Sequence, residues 1–137
     1  MTVAYNSVKR ARFVGKGILD NKISALLLSY LEGNGIKTHF VQRLDEREQL
    51  CRKIEIIPLE VVVHNRIAGT LAAKLGLEDG FKPANTIVDL CYNNEDLGDP
   101  LVNEDQAVAL GLSTYEDLAF MKATARREGE LLTEIFH

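Results

Sequence analysis

Apolar residues recur every three or four positions from Ile18 to Glu32, where Leu19, Ile23, Leu26, Leu27 and Tyr30 share one side of a helical wheel. Gly33, Asn34 and Gly35 end that helix. From Lys37 to Arg43 the pattern changes to the alternation of a strand. Gln49 to Ile57 reads as a second strand, halted by Pro58. Leu59 to Arg66 is a third, apolar enough to predict burial on both faces. Thr70 to Leu75 predicts a short helix closed by Gly76, and Glu78, Asp79, Gly80 and Pro83 mark a loop. Thr86 to Tyr92 predicts a further strand, Asn93 to Asn103 a polar loop, and Glu104 to Leu110 a short helix stopped by Gly111. Ser113 and Glu116 form the capping box of a final helix with Leu118, Met121, Ala125, Leu132 and Ile135 on its apolar face. Strands and helices mix without strict alternation, so the expected class is α+β.

Composition adds limits. The 137 residues suit one domain with one core, and 46% hydrophobic with 26% charged is ordinary for a soluble globular chain. A net charge of −4 argues against a nucleic-acid partner. Lys9, Arg10, Arg12 and Lys16 are read either as a local basic patch or as a solvated edge strand. No apolar run of membrane-spanning length and no signal-type stretch occurs, so a cytoplasmic location is expected. Cys51 and Cys91, without metal-ligand spacing, are expected to be small buried hydrophobes rather than a disulfide.

The candidate chemistry centres on Ile57–Thr70, IPLEVVVHNRIAGT, an apolar strand running into a glycine-containing turn. Such a turn leaves backbone N–H groups for an anion. Arg66 offers a planar fork, Gly69 close backbone approach, and Thr70 a hydroxyl at a helix N-terminus. The bland reading is a turn with a surface arginine and a cap. His64 lies in period with Val62 and Glu60, and a lone strand histidine is more often structural than functional. Glu60, inside an apolar run, is expected to pair with a basic side chain. Asp99, Asn103 and Glu104 gather oxygens near a helix start, and Gly15, Lys16 and Gly17 form a weak anion loop short of a P-loop.

The strings GKGILDNKISALL, YLEGNGIKTHFVQRL, IEIIPLEVVVHNRIAGTLAAKLGLEDG and LGDPLVNED, in this order and spacing, closely resemble SAICAR synthetase from Gly15 to about Phe136. The resemblance implies an ATP-grasp-like fold, with residues 1–50 a remnant of the N-terminal lobe and 51–137 the central lobe of a single compact unit. It also implies a ligase that activates a ribotide carboxylate with ATP and magnesium before the amine of aspartate displaces phosphate. Under it, His64 stands where the family has an arginine near the ribotide phosphate, Thr70 where it has a serine, and Asn93 where it has a lysine. Lys16, Lys22, Arg66, Asp99, Asn103 and Glu104 match family residues, and Cys51 and Arg52 fall near the adenine hinge.

The family's glycine-rich GKAK-type turn and its DFKLEFG-like segment with metal carboxylates have no counterpart in this sequence. Phosphoryl transfer depends on positioning and on charge neutralisation, which those pieces supply. The resulting expectation is a non-catalytic protein that binds or sequesters a phosphorylated nucleotide or ribotide, with no cofactor. In one version it is a viral protein that soaks up a nucleotide signal. The alternatives are a minimal SAICAR synthetase using ATP and Mg2+, and an inert interaction module. Apolar surface left uncovered predicts a homo-oligomer.

Overall fold

The computed structural model describes residues 2–5 and 10–136, with the backbone alone for 2–5 and 10–12. Lys9 of the candidate basic patch lies outside the described residues, and so do the side chains of Arg10 and Arg12. The chain divides into two compact units, Met1–Glu55 and Ile56–His137.

In the first unit β1 (Thr2–Tyr5) pairs antiparallel with β2 (Arg10–Phe13). Helix α1 (Lys16–Gly33) follows, then β3 (Phe40–Arg43) antiparallel to β4 (Gln49–Cys51). Among the described residues, Leu31, Ile36 and Phe40 are its buried apolar side chains. The side of α1 that turns inward is not the predicted one. Leu19, Ile23 and Leu26 are 56%, 45% and 67% exposed, while Asn21 and Leu31 are buried. The cause is polar. Asn21 Nδ2 donates to the carbonyls of Asp45 and Glu48, and Gln49 Nε2 donates to Ser24 Oγ. These bonds turn the 21–24–31 stripe toward the β3–β4 hairpin.

Both strands of that hairpin are shorter than expected. Thr38 Oγ1 donates to Glu32 Oε1 and accepts the Phe40 N–H, a local turn that competes with the ladder. Beyond Cys51 a single bond continues the pairing, from Arg52 N to His39 O.

The second unit is a three-stranded antiparallel sheet ordered β5 (Leu59–His64), β6 (Ile87–Tyr92), β7 (Leu101–Val102). Helix α2 (Gly69–Leu75) follows β5 and ends, as expected, on Gly76 in the left-handed region at φ 67°. β7 and a 3-10 turn at Glu95–Leu97 lie inside the segment read as a loop. Helices α3 (Glu104–Ala109) and α4 (Tyr115–Ile135) complete the unit. Leu59, Leu90, Ala107 and Leu118 form the core, with Val61, Val102, Leu112 and Met121 around them.

β5 is not buried on both faces, as was expected: Leu59 is buried, Glu60 is exposed, and Val61, Val62, Val63 and His64 are partly buried. Leu59, Val61 and Val63 alternate toward α4, and Gly129 of α4 sits so close that an added Cβ would lie 3.2 Å from Val63 Cγ1. Glu60 is exposed and has no ion-pair partner among the described residues, so its predicted basic neighbour is absent. It escapes the desolvation that would have required one. On α4, Leu131 rather than Leu132 is buried with Leu118 and Ala125.

The cap of α4 is one residue later than predicted. Thr114, not Ser113, accepts the Asp117 N–H at 3.1 Å. Ser113 Oγ is buried with no partner among the described residues. A full capping box does occur, at α3, where Asn103 and Gln106 bond each other's backbone N–H at 2.8 Å. Thr114→Ala should therefore cost about 1 kcal/mol. Ser113→Ala, which removes an unpaired buried hydroxyl, should be neutral or stabilising. Urea unfolding of the two variants distinguishes Thr114 from Ser113 as the cap.

Candidate functional site

Alternation along β5 sends Glu60, Val62 and His64 to the face away from α4, and the register places Cys91, Asp89 and Ile87 opposite them on β6. His64 Nε2 lies 3.1 Å from Asp89 Oδ2, with both side chains about three-quarters enclosed at 24% and 28% exposure. The carboxylate fixes the orientation of the imidazole. Burial, and then the charges of Glu60, Asp89 and Asp99, push the Cys91 thiol up from its ordinary range. Cys91 is free and only partly buried. This face thus gathers two carboxylates, a thiol and one histidine, and the Asp99 carboxylate of the following loop acts on the thiol.

Asp89 also belongs to a shallow cleft of about 560 Å³ whose lining includes Asn103, Glu104, Asp105 and Lys122. Lys122 Nζ donates to Glu104 Oε1 at 2.5 Å. Tyr115 Oη donates to Asp105 at 2.6 Å, and that bond pushes the phenol up. Asn103 spends its side chain as the α3 cap. Asp99 has a left-handed backbone, φ 48°, and accepts the Asn94 N–H at 2.8 Å, which closes the loop between β6 and β7. Asn93 is exposed, and its N–H bonds Pro58 O.

The Arg66–Thr70 corner differs from its predicted chemistry. Arg66, Ala68, Gly69 and Thr70 are all exposed, so the corner is open. Its anion-binding groups are nevertheless engaged within the chain. Gly69 N–H donates to Asp79 Oδ1 at 2.6 Å, and Arg66 Nη1 donates to Gly80 O at 3.1 Å. A carboxylate of the following loop occupies the place expected for an external anion. Thr70 sits inside α2 and does not cap it, because the cap position is Ala68. Arg66 lines a second cleft of about 550 Å³ between β5 and α4, with Val61, Val63, Leu132 and Phe136. His64 does not line that cleft.

In the first unit Lys16 pairs with Asp20 at 2.5 Å, and Lys22 is exposed. Arg52 donates to Thr38 O at 3.0 Å and lies 3.7 Å from Glu32, beside a cleft of about 610 Å³. The Thr38 hydroxyl, more than Arg52, holds the Glu32 carboxyl below its usual range. Cys51, partly buried, ends β4 one residue before Arg52.

Sequence reasoning missed Asp89, Lys122 and Asp79. Asp89 carried a signal, a charge between Val88 and Leu90 in an apolar strand like Glu60 in its own. Among the described residues no three His, Cys, Asp or Glu side chains converge to hold a metal ion.

The SAICAR synthetase family model matches residues 1–137. The chain belongs to the SAICAR synthetase family. A Clostridium botulinum phosphoribosylaminoimidazole-succinocarboxamide synthase is 46% identical over 97% of this chain. A Fusobacterium nucleatum protein of the same name is also 46% identical over 97%. The crystal structure of the Ehrlichia chaffeensis synthase superposes with a TM-score of 0.92 at 38% identity over 98% of the chain. A SAICAR synthetase solved in complex with ADP superposes at 0.90 and 35% over 97%. The chain spans 57% of the length of the Clostridium relative, 56% of the Fusobacterium one and 57% of each of the two solved chains. The α+β class expected from the residues and the SAICAR synthetase-like fold implied by the resemblance are thereby established. No helix among the described residues is long and apolar enough to cross a membrane.

Two outcomes follow. Asp79→Asn removes the internal charge at Gly69 N–H, so inorganic phosphate should bind at least about threefold more tightly by titration calorimetry. Unchanged affinity would mean that this N–H is not an anion site. Glu128, on the side of α4 that lines the cleft with β5, has its carboxyl pushed up by burial. Its pKa is therefore higher folded than unfolded, and the associated stability is present at low pH and lost as pH rises through the folded value. Glu128→Gln should raise Tm at pH 7 by about 1–3 °C, discounted for solvent screening, with no gain below about pH 4.

Proposed function

We propose that this chain works as a SAICAR synthetase, binding a phosphorylated ribotide- or nucleotide-type small molecule and supporting its ATP-dependent ligation to aspartate. The observation that carries the reading is the family match along residues 1–137. The names of the relatives and the ADP complex of a solved one support it.

The chain's own contribution lies in the polar face of the β5–β6 sheet. His64, oriented by Asp89 at 3.1 Å, offers a hydrogen-bonding group fixed in place before the ligand arrives. In the ligation the amine of aspartate loses protons as it displaces phosphate from the activated carboxylate. A histidine beside a carboxylate is suited to accept one. The acid-rich surroundings of Cys91 disfavour a bare phosphate there. The phosphate end of the ligand is better matched to Arg66, Thr70 and the Gly69 N–H once Asp79 is displaced. The relatives favour this reading over non-catalytic sequestration, which they do not support.

The purified chain should bind the carboxylated ribotide or ADP in calorimetry and form SAICAR from ribotide, aspartate and ATP. His64→Ala should weaken ribotide binding about tenfold or more, the loss of one charge-assisted contact. Binding without product assigns the chain to sequestration instead. Binding of neither ligand overturns both readings.

A further inference from the structure

Asp89 stands on β6, the middle strand of its sheet, which bonds β5 on one side and β7 on the other. The next residue, Leu90, is buried in the core with Leu59 and Leu118. The carboxylate is therefore carried by backbone that two strands and a core side chain hold in place. His64 is the last residue of β5. The register puts it opposite Ile87, with Asp89 its diagonal neighbour on the same face. Nε2 of the ring meets the carboxylate at 3.1 Å. A carboxylate accepts hydrogen bonds and has none to donate, so a neutral His64 carries its proton on Nε2. The lone pair of the ring is then on Nδ1.

We propose that Asp89 is a positioning residue: it sets the tautomer of His64, so that Nδ1 receives a hydrogen-bond donor, the reacting amine, and not a phosphate. The proposal rests on the ligase reading. With the proton held on Nε2, Nδ1 of the neutral ring can only accept. An amine N–H fits it, whereas phosphate is itself an acceptor. The same face favours an amine in charge, since Glu60 and Asp89 share it with His64. In the ligation the amine nitrogen bonds the activated carboxyl carbon. Phosphate leaves with the electron pair of the broken C–O bond, and one amine proton passes to Nδ1. The imidazolium so formed keeps its Nε2–H on Asp89, whose charge offsets its own. Asp89 thus acts through His64 and touches no reacting atom.

Long-range proton–nitrogen correlation spectra of the whole chain read the tautomer directly, with His64→Gln identifying the His64 signals. They are taken at a pH above which those signals no longer move. The Nε2–H form should dominate in the unmodified chain. Asp89→Asn, whose amide can donate as well as accept, should lower the ratio of Nε2–H to Nδ1–H at least about threefold, the loss of one obligate acceptor. Asp89→Glu keeps an acceptor and should keep more of the Nε2–H form. Backbone amide signals away from β5 and β6 that stay in place show that the variants fold. Inorganic phosphate should leave the Nδ1 signal where it is at that pH. In SAICAR formation Asp89→Asn should lower kcat at least about tenfold with a smaller change in KM, and Asp89→Glu should restore part of it. A ring protonated on Nδ1 in the unmodified chain, a ratio unmoved by Asp89→Asn, or an Nδ1 signal shifted by phosphate overturns the proposal. A ratio that moves while kcat does not overturns it as well, since the tautomer then has no bearing on the reaction. If the unmodified chain forms no product, the ligase reading fails, and the spectra still decide whether Asp89 sets the tautomer.

Discussion

Helix α4 is pinned to the three-stranded sheet by Leu118, whose side chain is wholly closed to water among Leu59, Leu90 and Ala107. Those side chains come from β5, β6 and α3, so a single apolar contact fixes the strands that carry the site and the helix that backs them. Truncating such a side chain costs a few kcal/mol, comparable to much of the stability of a small domain. With the back of the sheet fixed in this way, the other face is free to carry groups that a core would not tolerate. Glu60, His64, Asp89 and Cys91 occupy that freedom. The alternation that buries Leu59 and Val61 is the same one that presents His64.

The candidate site is more self-contained than a bare strand and turn suggest. Asp89 holds His64, Asp79 holds the Gly69 amide, and Gly80 holds Arg66. Each bond keeps a polar group in a set position at the expense of competing with whatever binds. Preorganisation of this kind lowers the ordering cost of binding. It also demands that an incoming phosphate outcompete a carboxylate already in place. The two effects act at different points of the site, orientation at His64 and competition at Gly69.

Much of the fold was legible in the residues because periodicity and punctuation agreed. Gly76 and Gly111 end their helices in left-handed conformations, and the boundaries of β5 and β6 fall within one or two residues of the apolar runs. What could not be read was decided by side chain to backbone bonds between distant positions. Asn21 reaches the Asp45 and Glu48 carbonyls and so selects the face of α1 against its own apolar stripe. Thr38 truncates β3 by bonding Glu32. In the site, the motif located β5 and its turn, and the family resemblance was sound. The partners of those residues were invisible because Asp89 is 25 positions from His64 and Asp79 is 10 from Gly69. Their pairing depends on strand register and loop closure, which no local pattern encodes.

Gly129 lets α4 approach β5 until almost no gap remains above Val63. The neighbouring turns of α4 on that side carry Ala125, Leu132 and Thr133, all bulkier than a hydrogen atom. Sliding the helix along its axis by a turn would bring one of them over the valine and force the layers apart. The missing side chain therefore behaves as a notch. It indexes the helix to a single axial setting, so the two layers move together or not at all.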